Sequence, residues 1–444
     1  MFENKKIFII GLARSGFAIA KFLSRYTKDI LVVDENEEDE NIKKLESLGI
    51  EVIITDRKNQ VDLLDDTFDF VIKNPGVPLK APTVLKAEEL GIPVINEIEA
   101  TGYLLPKGVK IIGTTGSNGK TTVTTLLYEV LKNQFDNVVV AGNIGIPLSE
   151  VFDEINENTI LVMEISDHQL ANMTDFKVDI SVLTNICEAH IDFWGTFEAY
   201  KASKRRIFNN HTENEIAIVN LDNEPAMDAA KNIKSIMKYF SVSKNTDCYL
   251  KDETIYYKNE VIINTKDMIL RGIHNYDNAM VVIMVAEELG ANREKTAEVI
   301  KNFKGIEHRN EYVKEINGRV FYNDSKSTNN AATITALQTF NEPTILILGG
   351  LDRGQNWNEL AGYFENVKSI VCYGENKLKI QEALTSKVKD IKITDNLNEA
   401  VEKSYEISES GDVILLSPAS GSWDQFKDFE ERGKVFKEAV NKLR

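Results

Sequence analysis

The stretch VKIIGTTGSNGKTT, residues 109–122, constrains the fold more than any other part of the chain. An apolar run stops at a glycine-rich turn, and TVTTLLYEVLKN then continues as a helical pattern. Strand, glycine turn and helix in that order describe a phosphate-binding loop, which belongs to a parallel sheet. The backbone N–H groups of Gly116, Ser117, Asn118 and Gly119 can approach phosphate oxygens, and the helix start adds its partial positive charge. Lys120 can reach the outer phosphates, and the hydroxyls of Thr121 and Thr122 follow, Thr121 suited to Mg²⁺. The common spacing is GxxxxGK[ST]; here Thr114 takes the place of the first glycine and the loop shortens to GSNGKT.

The flanking sequence repeats the strand–helix alternation. KKIFII, ILVVD, EVIIT, FDFVIKN and IPVIN fall in the first hundred residues, with helices expected from Phe17 and near 82–91. NVVVAGN, TILVMEIS, DISVLTNI and EIAIVN follow the loop, and TIYY and VIIN, separated by KNE, suggest an antiparallel patch. RVFYND, TILILGG, SIVCYG and DVILLSP alternate again beyond residue 306. At roughly 150 residues per domain, 444 residues suggest three α/β domains. We expect a Rossmann-like domain at 1–100, a central P-loop-type ATPase domain at 101–305 and a Rossmann-like domain at 306–444. The net charge of −17 argues against nucleic acid and membrane surfaces as partners, which need a basic footprint. Cys187, Cys248 and Cys372 lack disulfide or zinc spacing, and no apolar run reaches membrane-spanning length, so a cytoplasmic protein is expected.

Other candidate residues collect at strand ends, where open parallel sheets bind ligands. GLARSG, residues 11–16, with Asp34 ending the next strand, resembles a dinucleotide fingerprint with Ala13 in the middle slot, although tight packing alone favours the same glycines. NPGVP, residues 74–78, places Gly76 in a second such turn. MEISDHQL ends a strand at Glu164, a position suited to Mg²⁺, and NICEAHIDFWG sets His190 between Glu188 and Asp192. YKASK carries Lys204 on a basic helix, whose lysines ordinarily face solvent. HRNE, YNDSKSTN and SPASGSWDQF supply hydroxyl, amide and charged side chains in the last block, where caps and turns are the commoner use.

Taken in order, TGSNGKTT, GNIGIP, MEIS, NI…H.D, YKASK, HNYDN, HRNE and NDSKSTN resemble the Mur ligase family over nearly the whole chain, and the shortened phosphate loop is that family's form. GGLDRG and LLSPASGSWDQFKDFEERG are similar to members that add D-glutamate. The resemblance implies an ATP-dependent amide ligase joining D-glutamate to UDP-N-acetylmuramoyl-L-alanine through an acyl phosphate, in peptidoglycan precursor synthesis. Other Mur-type or folylpolyglutamate-type amide ligases are the alternative.

By this resemblance Lys120, Glu164, His190 and Lys204 serve catalysis, and Gly116 to Thr122, Asn275, Asn278, Arg309 and Asp324 bind ATP. Thr121, Glu164, His190 and Lys204 hold Mg²⁺ at two sites, with Lys204 carried as a carbamate. Arg14, Ser15, Asp34, Gly76, Asn143, Ser166 and Gln169 face the uridine nucleotide substrate, so GLARSG holds UDP in place of NAD. Lys326, Thr328, Arg353, Ser422, Trp423 and Phe429 surround D-glutamate. The chain departs from the family's pattern at Asp167 and His168, at Arg353 where some members carry lysine, and at Trp423. A monomer with only small-molecule partners is expected. A nicotinamide oxidoreductase read from GLARSG, or a non-catalytic nucleotide-binding regulator, would leave the phosphate loop or the Glu164, His190 and Lys204 set without a use.

Overall fold

The structure is a computed structural model that describes residues 1–36 and 40–443, and of Asp192 the backbone alone. Three sheets carry the fold. The first has five parallel strands, β1 (Ile7–Ile10), β2 (Ile30–Asp34), β3 (Glu51–Ile54), β4 (Phe70–Lys73) and β5 (Val94–Ile95), in the order β3-β2-β1-β4-β5. The order reverses between β1 and β4, which opens a crevice at their C-terminal ends.

The second sheet runs through β6 (Lys110–Thr115), β7 (Val138–Gly142), β8 (Ile160–Glu164), β9 (Ile180–Leu183), β10 (Ile216–Asn220), β11 (Ile236–Ser241), β12 (Cys248–Lys251), β13 (Thr254–Tyr257) and β14 (Glu260–Asn264). Its order is β14-β13-β12-β11-β10-β9-β6-β8-β7. Only the β12–β13–β14 meander is antiparallel, extending by one strand the patch expected from TIYY and VIIN. The third sheet comprises β15 (Glu311–Ile316), β16 (Arg319–Asn323), β17 (Thr344–Gly349), β18 (Val367–Tyr373), β19 (Ile391–Ile393) and β20 (Val413–Leu416). Its order is β15-β16-β20-β17-β18-β19, with β15 alone antiparallel to its neighbour.

The alternation read from the sequence follows from burial. β1, β8, β9, β17 and β20 are buried at every residue, because helices cover both faces of a parallel sheet. The helix Lys120–Lys132 buries Val123, Leu126, Leu127, Val130 and Leu131, the stripe that a 3.6-residue period predicts. The first helix begins at Arg14, earlier than the expected Phe17, so Ser15 and Gly16 lie inside it.

Contacts divide the chain into two compact units, Met1–Thr265 with Tyr276–Ile300, and Lys266–Asn275 with Lys301–Arg444. Within the first unit INEIE, residues 95–99, is one of the segments that tie the first sheet to the second. Asn96 Nδ2 donates to Gln169 O at 2.6 Å, and Glu97 Oε1 accepts from Ser149 N at 2.6 Å. Glu99 is 1 % exposed and accepts from Thr174 N, Thr174 Oγ1, Asp175 N and Phe176 N at 3.1, 2.9, 2.7 and 3.0 Å. The second unit packs one apolar cluster around Leu346, Leu348 and Leu415 and another around Ile345, Ile347 and Ile414, one on each face of its sheet. No described helix is long and apolar enough to cross a membrane.

Candidate functional site

The phosphate loop connects β6 to the helix Lys120–Lys132. Gly116 has φ +149°, and a Cβ there would lie 1.9 Å from Thr184 Oγ1. Gly119 caps the helix at φ +83°, where a Cβ would lie 2.6 Å from Asn278 Oδ1. Both positions therefore require glycine. The loop is tied to the end of β9: Ser117 N donates to Asn185 O at 2.8 Å, Asn118 N to Asn185 Oδ1 at 3.0 Å, and Thr184 Oγ1 to Asn118 O at 2.6 Å. Lys120 Nζ folds back and donates to Gly116 O at 2.8 Å and Ser117 O at 3.0 Å, which places the ammonium inside the loop. Thr121 and Thr122 form the first helical turn, half-buried. Ser117 Oγ lies 2.9 Å from Tyr200 OH, a contact the sequence reading did not foresee.

β8 runs beside β6, with Glu164 in register with Thr114. Glu164 is 1 % exposed; Oε1 accepts from Asn143 Nδ2 at 2.7 Å, while Oε2 is buried without a hydrogen-bond partner. The hydroxyls of Thr114 and Thr115 are buried and unpartnered as well. Orphaned oxygens beside a phosphate loop fit a hard cation, so the donor set suits Mg²⁺. Asn143, expected to face substrate, gives its Nδ2 to Glu164. Ser166 and Gln169 also engage each other: they form a capping box on the short helix Asp167–Leu170.

The two residues that depart from the family pattern have definite partners. Asp167 is 3 % exposed and accepts from Lys204 Nζ at 3.3 Å and Trp194 Nε1 at 2.8 Å, with His168 Nδ1 at 3.2 Å. Burial alone would raise its pKa, but the His168 contact, the Lys204 charge and the Trp194 bond together hold it well below the usual carboxylate range. Lys204, expected on a solvated basic helix, is 0 % exposed. Burial pushes its ammonium down to about 8, against the pull of Asp167 and with the help of the Lys120 charge. The His190 ring packs edge-on against His168 at 5.3 Å and is itself exposed, with a backbone φ of +53°. Among the described residues no three His, Cys, Asp or Glu side chains gather as a ready metal cluster.

At the crevice of the first sheet the glycines serve the chain itself. A Cβ on Gly16 would meet Gly11 O at 1.9 Å, and one on Gly11, at φ +96°, would meet Asn74 Cβ at 2.9 Å. The Asp34 carboxylate accepts from Leu12 N, Glu35 N and Asn36 N, so it fixes the ends of β1 and β2. Arg14 is exposed and pairs with Glu150 at 3.5 Å. Ser15 is half-buried in the first helical turn, and Gly76 is exposed at the tip of the turn after β4.

In the second unit the predicted residues gather at the ends of β16, β17 and β20. Asp324 is 2 % exposed, accepts from Ser417 Oγ at 2.6 Å and Asn310 N at 3.2 Å, and is pushed up to about 6 by burial. Lys326 lies 5.9 Å from the ring of Phe429, which opens the helix Phe429–Lys442. Thr328 is half-buried and Arg309 exposed. The Arg353 guanidinium stacks over Trp423 at 5.0 Å, with the indole 68 % exposed, and Ser422 beside it is buried. Asn275 falls in this unit and Asn278 in the first. Asn275 Nδ2 donates to Arg271 O at 2.8 Å. Arg432, within LLSPASGSWDQFKDFEERG but not among the expected site residues, is wholly buried and donates to Ser325 Oγ, Ser325 O and Ser420 O at 3.0, 2.7 and 2.9 Å, so one guanidinium ties the two loops that carry these residues.

Family comparisons match three regions: a Mur ligase MurD-like N-terminal domain at 5–96, a Mur ligase middle domain at 114–286 and a Mur ligase glutamate ligase domain at 308–420. The chain is 44 % identical over 449 residues to UDP-N-acetylmuramoylalanine--D-glutamate ligase of Geobacillus kaustophilus, covering 100 % of this chain and 99 % of that protein. It is 40 % identical over 447 residues to the protein of the same name from Bacillus thuringiensis, covering 100 % of this chain and 98 % of the relative. Among solved structures, MurF ligase from Thermotoga maritima in complex with ADP aligns with a TM-score of 0.55 at 16 % identity, covering 99 % of this chain and 96 % of that one. UDP-N-acetylmuramate-alanine ligase MurC from the same organism aligns at 0.54 and 19 %, covering 99 % of both. These two share the fold. Three consecutive domain matches and full-length relatives place the assignment beyond the motifs alone: the chain belongs to the Mur ligase family.

Proposed function

We infer that the protein is an ATP-dependent ligase that adds D-glutamate to UDP-N-acetylmuramoyl-L-alanine in peptidoglycan precursor synthesis. The observation that carries this reading is the buried, half-satisfied Glu164 carboxylate beside the Gly116–Lys120 loop, in a chain whose full-length relatives bear that activity in their name. Domain limits near 100 and 305 accompany it, between the matched family regions. The reading includes a cytoplasmic monomer whose partners are small molecules and not nucleic acid.

A carboxylate is a poor electrophile, so the alanyl carboxylate of the substrate must first take the γ-phosphoryl group of ATP. The D-glutamate amine then attacks the acyl phosphate carbonyl, a C–N bond forms, and phosphate leaves as the amine loses a proton. Lys120 and the loop N–H groups hold the β- and γ-phosphates, while Asn275, Asn278, Arg309 and Asp324 hold the rest of the nucleotide. Thr121, Glu164, His190 and Lys204 would hold Mg²⁺ at two sites, where it would neutralise charge on the transferred group. Arg14, Ser15, Asp34, Gly76, Asn143, Ser166 and Gln169 face the uridine nucleotide substrate. Lys326, Thr328, Arg353, Ser422, Trp423 and Phe429 surround D-glutamate, the Arg353 guanidinium pairing a carboxylate.

Lys204 fits carriage as a carbamate. A buried amine held down to about 8 is partly neutral near neutral pH, and the neutral amine adds to CO₂, releasing a proton and leaving an anion that suits Mg²⁺. We expect Lys204→Ala to lose activity and to regain part of it with a small carboxylate additive; full activity without additive would sink this assignment. The wider reading is tested by phosphate release from ATP with UDP-N-acetylmuramoyl-L-alanine and, one at a time, D-glutamate, L-glutamate, L-lysine and meso-diaminopimelate. Release that requires D-glutamate supports it, and release with another amino acid alone overturns the acceptor.

A further inference from the structure

β4 ends on a lysine that no motif explains. Lys73 is 1 % exposed, and its Nζ donates to Val77 O at 2.7 Å, Asn74 O at 3.2 Å and Pro75 O at 3.4 Å. An ammonium has three protons, and here each goes to a carbonyl of the same NPGVP turn. Burial pushes the amine down to about 8. Desolvating a cation is expensive, and an apolar side chain could fill the same volume without that penalty.

The peptide geometry shows what the lysine accomplishes. A trans peptide points its N–H opposite to its C=O, so a carbonyl drawn inward sends the following N–H outward. After Asn74 and after Val77 the following residue is proline, Pro75 and Pro78, which has no N–H. After Pro75 it is Gly76. Of the three peptides that Lys73 orients, one alone presents a donor, and that donor is the Gly76 N–H at the exposed tip. The turn cannot drift, because Val77 N closes it onto Asn74 O at 3.0 Å and Asn74 N ties it to Ile10 O of β1 at 2.9 Å. Asn74 in turn packs on Gly11 of the neighbouring glycine turn. The tip therefore borders the β1/β4 crevice, where an open sheet takes its ligand.

We propose that Lys73 is a positioning residue for the uridine nucleotide substrate: its ammonium gathers three turn carbonyls and so aims the Gly76 N–H at an oxygen acceptor of that substrate. The proposal rests on the functional reading above. Lys73→Met keeps the length and removes the donors. We expect the KM for UDP-N-acetylmuramoyl-L-alanine to rise roughly ten- to hundredfold, the scale of a misplaced binding group. The variant's kcat and its KM for ATP and for D-glutamate should stay close to those of the unaltered protein. Binding of UDP alone, measured by calorimetry, should weaken in parallel, while ADP binding should not. An unchanged KM and UDP affinity overturn the proposal, and so does a uniform loss in kcat and every KM, which is the signature of general damage. If Lys73→Met does not fold, Lys73→Gln, which retains two donors, is read by the same criteria; if neither folds, Lys73 is a folding residue and the proposal fails. An unaltered protein that neither binds UDP nor turns over the uridine nucleotide refutes the functional reading itself, an outcome distinct from all of these.

Discussion

Glu99 offers a perturbation whose size can be worked from the geometry. Its carboxylate, 1 % exposed, accepts four hydrogen bonds from the loop Thr174–Phe176. Oε1 takes Thr174 Oγ1 and Asp175 N, and Oε2 takes Thr174 N and Phe176 N. Glu99→Gln preserves shape and volume but turns one oxygen into an NH₂ group. Whichever way the amide lies, two donors then face a donor, because each oxygen serves two. A hydrogen bond to a charged acceptor contributes about 1.5–3 kcal/mol, so losing two costs about 3–6 kcal/mol before relaxation. The Thr174 hydroxyl can rotate to accept, which places the Oε1-side orientation nearer the lower bound. Urea unfolding at pH 7.5, followed by tryptophan fluorescence, should show the first transition moving to lower urea with an unchanged slope. Because Glu99 joins the first sheet to the second, UDP affinity should fall together with stability. A Glu99→Gln midpoint coincident with that of the unaltered protein would refute the claim that this carboxylate fastens the two sheets.

Two further outcomes follow. Burial pushes Glu97 up to about 7 from an ordinary value of 4.5, so the folded state holds a proton that the unfolded state releases. The sign is then fixed: this group's contribution is most favourable below pH 4.5 and falls as pH rises to 7, by about 3 kcal/mol in all. Glu97→Gln should remove that slope and be the more stable protein at pH 8; urea midpoints from pH 5 to 8 that keep the same slope would contradict it. Gly119→Ala forces a side chain to φ +83° and brings its Cβ 2.6 Å from Asn278 Oδ1. The backbone strain alone destabilises the folded state by about 1–2 kcal/mol, so the urea midpoint should fall at an unchanged slope, and an unaltered midpoint would exclude the strain.

The strand, glycine turn and helix at 110–132 and the acid that closes β8 were legible in the sequence because their signals are local: an apolar strand, glycines at fixed offsets, a lysine, and an acid at a strand end. The alternation of strands and helices was legible for the same reason. Contacts that cross the chain left no such trace. Ser117 meets Tyr200 across 83 residues, and Arg432 meets Ser325 across 107. In the sequence Arg432 is one charge in FEERG, and its burial depends on a loop a hundred residues away. Lys73 left a faint signal, a cation closing the apolar run FVIK. GLARSG shows a different limit. Glycines demanded by a ligand and glycines demanded by Gly11 O and Asn74 look alike in one dimension, and the same ambiguity put the helix start three residues late.

The position of the Lys120 ammonium has a kinetic and a selective consequence. It already rests on Gly116 O and Ser117 O, so an arriving anion must displace bonds that exist before it arrives. Binding is an exchange whose net gain is the difference between two sets of contacts. A lone sulfate or inorganic phosphate would trade the two carbonyl bonds for charge-assisted ones, a gain reduced by the bonds given up. A polyphosphate that also engages the loop N–H groups and the helix start gains from several contacts at once. On the proposed function, the loop would favour a polyphosphate over the small anions of its solution without a steric gate.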